Sequence, residues 1–271
     1  MSADAATLDL AAAPRVRRPG SMRGLAVYSV QAGILALILG AWQWAANAHA
    51  INGQLFGSPA GIVGSTARTW NDGSLLTDSG LTLWEALAGF VVGTLLGSAG
   101  GLILWYTPFL ARIVEPAAVA FNGVPKIAMG PLIIIWLGAG IESKIVLAFV
   151  STAVVAFLAA YSAAHEVDPD LVTLLRSIGA TRMQTFRLLL VPGALPLMFS
   201  AMRINVGFAL VGAVVGEFIA SSHGIGHAIF VAGNLFDLNT VWLGIIVLSL
   251  IAAIMYAALG SLERILVKGR S

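Results

Sequence analysis

Residues 82–106 read TLWEALAGFVVGTLLGSAGGLILWY, twenty-five residues with one charged side chain, Glu85. As a helix this run is about 37 Å long, enough to cross a hydrocarbon core of about 30 Å. Gly89, Gly93, Gly97 and Gly101 fall four apart. That spacing lines one face of a helix and lets a neighbouring backbone approach closely. Five more apolar runs of spanning length lie at about 25–46, 113–139, 145–164, 194–219 and 240–262. The expected fold is therefore all-α, a polytopic membrane protein of about six transmembrane helices. The run at 113–139 carries Asn122-Gly123-Val124-Pro125-Lys126 and then Gly130-Pro131, which predicts a broken span. Such a break is tolerated at membrane depth where protein or water covers the freed backbone groups.

Composition agrees with this reading. Of 271 residues, 58% are hydrophobic and 10% are charged, against about 25% charged in a soluble domain. The formal charge is +2 and there is no cysteine, so disulfides, zinc-thiolate sites and cysteine nucleophiles are excluded. Residues 1–24 are polar and aperiodic and are expected to form a disordered cytoplasmic tail carrying Arg15, Arg17, Arg18 and Arg23. This basic segment precedes an apolar run and resembles a membrane-proximal patch, not a nucleic-acid site. The run at 25–46 is longer than the apolar core of a signal peptide and is read as a retained first span. With the N-terminus inside, the cytoplasmic segments hold eleven Lys or Arg, and the outside segments hold only Arg68 and Lys144. That bias places both termini in the cytoplasm. The organisation expected is an external segment 47–81, a core 82–262 and a C-terminal tail 263–271. Ile62–Trp70 within the external segment reads either as an interfacial helix or as a loop packed on the bundle.

The longest internal cytoplasmic segment runs over 165–191. Asp168 is suited to N-cap a helix, with Pro169 at its first position and Asp170 in its first turn. Leu171, Leu174, Leu175 and Ile178 form one apolar stripe, and Gly179 is suited to end the helix. Thr181 with Gln184 makes a capping box opening a second helix that carries Met183, Phe186 and Leu190. Pro192 and Pro196 mark the start of the fifth span. Arg176, Arg182 and Arg187 make the opposite face basic. Such a hairpin suits either an anionic lipid surface or a soluble partner that receives a helix in a groove.

The stretch DPDLVTLLRSIGATRMQTFRLLLVPGALPLMFSAMRI, residues 168–204, resembles the cytoplasmic loop of binding-protein-dependent ABC importer permeases. That loop has a Glu-Ala-Ala signature, a Gly four residues after the second Ala, and an Ile-x-Leu-Pro ending. Gly179 and Pro192 fall on its Gly and Pro, with Leu189 and Val191 as conservative replacements. Thr173, Leu174 and Leu175 stand where the signature would be, so the resemblance implies apolar docking without the ionic contact of the Glu. The likeness covers roughly 55–265 and is greatest to the nitrate/sulfonate/taurine branch, through LFGSPAGIV, PLIIIWLGAGIESK, VDPDLV, GEFIASSHGIGH and a last span bearing Trp242. It implies two copies of the chain around a central pathway in a bacterial inner membrane. It also implies a cytoplasmic ABC ATPase dimer holding ATP and Mg, and a periplasmic or lipid-anchored substrate-binding protein. The residues implied in coupling are Asp168, Asp170, Leu171, Leu174, Leu175, Gly179, Ala180, Thr181 and Phe186. No cofactor in this chain and no nucleic-acid partner are expected.

Charges within spans default to functional candidates. Lys126 stands where the branch more often has a second proline, and Glu85 where many relatives have Arg. The two either pair, line a path for an anion together with Asn122, or snorkel to an interface. Glu217 is a gate residue or a hydrogen-bonded packing residue. His165, His223 and His227 lie in loops without carboxylates at ligand spacing, so metal binding is not expected. No GxxxxGK[ST], GxSxG or HExxH occurs, which argues against a self-contained pump or a membrane enzyme. A secondary transporter is the rival by composition, but neither an internal repeat nor a dense set of intramembrane charges is found. A small anion such as a sulfonate or nitrate is the expected cargo, with a pyrimidine precursor or an aromatic acid as the alternative.

Overall fold

A computed structural model describes the backbone of residues 21–268 and the side chains of 27–266. Most of the expected N-terminal tail and the last three residues lie outside the described residues. The chain divides at Ile51–Asn52 into a first helix and a larger helical body. The first helix, α1, is Ser21–Asn47. Its segment Val27–Asn47 is long and apolar enough to span, with a mean hydropathy of 1.3.

The body opens with α2 (Gly53–Phe56) and α3 (Pro59–Asn71), followed by the spanning helix α4 (Ser74–Leu104). Then come α5 (Pro108–Asn122), a 3-10 turn (Lys126–Met129), α6 (Gly130–Leu137) and the spanning helix α7 (Ile141–His165). Two short helices follow, α8 (Pro169–Ser177) and α9 (Arg182–Thr185). A π-turn (Phe186–Leu190) leads into α10 (Val191–Ala220), and α11 (Ile225–Asn234) and α12 (Leu238–Lys268) complete the body. Among the described residues, five helical segments are long and apolar enough to cross a membrane, six if α5 and the helix after it count as one span bent by 88°. The bend falls at Gly123–Pro125. Pro125 has no N–H to continue the helix and its ring pushes Val124 out of the helical region.

α4 and α7 form the most extensive helix pair. The glycine stripe is the reason. A Cβ on Gly89 would strike the Ala148 methyl, and on Gly93 the Thr152 hydroxyl. On Gly97 or Gly101 it would strike the carbonyl of Ala153 or Phe157. α7 answers with small residues of its own, Ala148, Ser151, Thr152, Ala156 and Ala160, all buried. α10 closes the third side, where Gly212 lies against the backbone of Ala148. Around this contact Phe90, Phe199, Val206, Leu210, Ile251 and Met255 fill the core. Lipid tails are as apolar as these side chains, so close van der Waals packing must hold the helices together.

Three places refine or correct the expected elements. The segment at 59–71 is a helix, as one of its two readings had it, and it packs on the bundle against α12. The Ser58 N–H donates to Asn239 Oδ1 over 2.9 Å, and Arg68 lies 3.7 Å from Asp237. Pro192 lies in the first turn of α10 and Pro196 inside it, but the helical run does not begin there, since a continuous span of 39 residues extends from Arg182 to Ala220. Pro192 gives no N–H to the carbonyl one turn back, and the wider π-turn before it accommodates the lost bond and the ring. Lys144 is not an external loop residue. It is buried in the first turn of α7, where its ammonium donates to the carbonyls of Ala139 and Gly140.

Candidate functional site

The segment joining α7 to α10 is built from local chemistry. The Asp168 carboxylate accepts from the Asp170 N–H over 2.8 Å, and Pro169 occupies the first turn of α8. At the other end Gly179 takes φ +86°, the left-handed region that side chains with a Cβ disfavour. The Gly179 N–H then reaches the Arg176 carbonyl and the Ala180 N–H the Leu175 carbonyl, each over 3.0 Å. These two bonds are a Schellman motif, which satisfies the last carbonyls of α8 and turns the chain sharply. Two residues on, the Thr181 hydroxyl accepts from the Gln184 N–H over 3.3 Å, and the Gln184 carboxamide oxygen from the Thr181 N–H over 2.7 Å. α9 begins there.

α8 buries no residue. Leu171, Leu174 and Ile178 are exposed, Ile178 by 72%, and Leu175 is half-buried behind them. Three large apolar side chains on one face of a helix that stands clear of the bundle form a surface that calls for a partner. The base under α8 is held by aromatic and cation–π contacts. The Phe186 ring packs against Trp105 and Tyr106 at the end of α4, with centroids 6.1 and 5.2 Å away. The Arg182 guanidinium lies over both of those rings and donates to the Trp105 carbonyl over 3.2 Å. Trp105 and Tyr106 were not among the residues singled out from the sequence. Aromatic residues at the end of an apolar span suggest an interfacial belt, and only the fold shows them gripping Phe186 and Arg182.

The other candidates gather at the opposite end of the bundle, in two groups. Glu217 is fully buried near the end of α10. Its carboxylate accepts from the Thr82 hydroxyl and from the Gly226 N–H, both over 2.6 Å. The second of these ties α10 to the first turn of α11, where a carboxylate also complements the helix dipole. Thr82 in turn accepts from the Ile225 N–H over 2.9 Å, so α4, α10 and α11 meet at one polar joint. Glu85 is buried next to this joint, with Glu217 and Lys144 as its charged neighbours. Neither Glu85 carboxylate oxygen has a hydrogen-bond donor.

Lys126 stands apart from this cluster. It is half-buried at the break after α5, and its ammonium donates over 3.1 Å to both the carbonyl and the side-chain oxygen of Asn122. The structure thus joins Lys126 to Asn122 and does not join it to Glu85. Among the described residues no group of three His, Cys, Asp or Glu side chains is placed to hold a metal ion.

The description "binding-protein-dependent transport system inner membrane component" matches residues 89–268, which include the glycine-packed α4–α7 pair and the whole α8–α9 segment. The chain belongs to that family. This permease is 32% identical over 234 residues to the riboflavin transport system permease protein RibX of Chloroflexus aurantiacus, covering 86% of this chain and 87% of the relative. It is 28% identical to the aliphatic sulfonates transport permease protein SsuC of Bacillus subtilis, over 94% and 92% of the two chains. The permease also shares its fold with a chain of the inward-facing MetNI methionine ABC transporter. That match has a TM-score of 0.56 and 23% identity, and covers 67% of this permease and 94% of the other chain.

Proposed function

We propose that this permease works as a homodimer whose two α8 helices dock into a cytoplasmic ABC ATPase dimer. The ATPase subunits bind ATP and Mg and do the hydrolysis, and a periplasmic or lipid-anchored binding protein delivers the solute. The observation that carries this reading is the exposed Leu171, Leu174 and Ile178 stripe on a helix fixed at both ends by caps and clamped through Phe186. A push on α8 is transmitted because the Schellman turn, the capping box and the aromatic clamp leave it no soft joint. The excess of Lys and Arg at this end, and at both termini, supports a cytoplasmic assignment for all three.

The cargo is a small anion such as a sulfonate, nitrate or taurine. The half-buried Lys126, held by Asn122 at the broken span, supplies a positive charge for it. A flavin-transport relative at 32% identity favours a second reading, in which a pyrimidine precursor or an aromatic acid is carried by the same machinery. Selectivity then resides mainly in the binding protein.

The test is Leu174→Asp, which puts a charge in the middle of the stripe without touching a buried contact. Transport is expected to be lost while insertion and thermal stability match the parent. Transport that survives this change would show that the docking face is assigned to the wrong residues.

A further inference from the structure

Two open cavities of different chemistry lie along the groove line between α10 and α12. The one toward the chain's C-terminal end, of about 560 Å³, is lined by Arg203, Tyr256, Gly260, Ser261, Glu263 and Arg264. The Arg203 guanidinium is bonded to Glu263 and lies 5.4 Å from the centre of the Tyr256 ring. Its Nε is buried and has no acceptor. Arg264 is exposed and forms no ion pair among the described residues. Two guanidinium groups against one carboxylate leave the cavity with a net positive charge, and two hydroxyls line it.

Roughly 10–18 Å further along the same two helices the groove becomes apolar. There a cavity of about 350 Å³ is walled by Leu210, Val211, Val214, Leu248 and Ala252. A soluble anion would fill only the first half. A ligand with an anionic head and a hydrocarbon tail fills both, and the exposed Leu262 and Ile265 beside the polar half suit a lipid environment.

We propose that the α10–α12 groove holds an anionic phospholipid, with its phosphate at Arg203, Arg264 and Ser261 and an acyl chain along Val211 and Leu248. The leaflet follows from the sidedness given under Proposed function, which makes this end cytoplasmic. Basic pockets between helices on that side suit anionic head groups. Binding itself does not depend on the importer reading.

Native mass spectrometry of the purified permease, titrated with phosphatidylglycerol and with phosphatidylcholine of the same chains, tests the proposal. Phosphatidylglycerol is expected to be retained selectively and to bind about fivefold more weakly to Arg264→Gln, the effect of one basic side chain near a lipid phosphate. Gly260→Leu is the second variant. A Cβ at Gly260 meets nothing within 4 Å, so a side chain can start into the cavity there with no change of charge. It too is expected to weaken phosphatidylglycerol while leaving phosphatidylcholine alone, and inorganic phosphate at millimolar levels is expected not to displace the lipid. Equal retention of the two lipids overturns the proposal, as does unchanged binding by both variants at parental unfolding temperature. Displacement by inorganic phosphate would make this a soluble-anion site and sink the lipid reading. A cross-link between two copies from Val211, with no lipid retained, would assign the groove to the dimer interface instead. Recovery of lipid without any co-purified ATPase would count against the importer and leave this inference standing.

Discussion

Glu217 and Glu85 are neighbours within the same end of the bundle, yet their carboxylates meet opposite circumstances. Glu217 has a donor for each oxygen, and those donors, the Thr82 hydroxyl and the Gly226 N–H, are themselves buried. Truncation to Ala would strand both. The expected cost of Glu217→Ala is about 3 kcal/mol, because hydrogen bonds to a charged group are among the stronger ones and their loss leaves unpaired polar groups behind. Thermal unfolding in detergent, followed by tryptophan fluorescence, would show it as a lowered transition. Glu85 has no donor to lose. Met in its place removes the cost of burying an unbonded carboxylate beside Glu217, and Lys144 keeps its two carbonyl acceptors, so Glu85→Met is expected to unfold at or above the parental temperature. If that variant instead unfolds early, Glu85 makes a contact that its environment here does not account for. If it is stable but transports poorly, Glu85 is kept for function at a cost in stability.

The α8–α9 segment shows what sequence can and cannot convey about an element. Asp168, Pro169, Gly179, Thr181 and Gln184 act within four residues of themselves, and their capping roles follow from residue type and spacing. The apolar stripe was legible for the same reason. The aromatic clamp was not, because Trp105 and Arg182 are 77 residues apart and only the packing of α4 brings them together. The π-turn was missed because it answers to Pro192 in a continuous helix, a context that local propensity does not specify. Lys144 reads as an outside residue because the apolar run begins just after it, whereas the carbonyls of Ala139 and Gly140, in the loop between α6 and α7, draw the ammonium inward. A prediction at this scale concerns the turn itself. Gly179→Val puts a β-branched side chain at φ +86°, although nothing crowds its Cβ. The strain of about 1–2 kcal/mol falls on the Schellman turn alone and is expected to tilt or fray α8 without unfolding the spans. Transport should fall severalfold, and amide exchange should quicken over 169–178 while α4 and α7 stay protected. Protection unchanged over α8 would mean that the turn tolerates the side chain and does not set the helix direction.

At the scale of the whole molecule, the number and order of spans were legible because hydrocarbon thickness and hydropathy leave few alternatives. The partner of the glycine stripe was not, since spacing shows that a close approach occurs but not which helix makes it. The remaining question is assembly. This chain exposes a capped apolar helix at one end, and family membership attaches it to binding-protein-dependent transport. Affinity purification of the tagged permease from its native host in mild detergent, followed by mass spectrometry, is therefore expected to recover a soluble ATPase in equal stoichiometry. Leu174→Asp should lose that ATPase while the permease is recovered in parental yield, because one charge on an apolar docking face disfavours association without affecting the membrane core. Recovery of the ATPase by both chains would leave the complex intact and move its contact surface off α8. A parental chain that comes alone and folded, under conditions that preserve other membrane complexes, would instead favour a secondary transporter, with the exposed stripe lying on lipid at the bilayer surface.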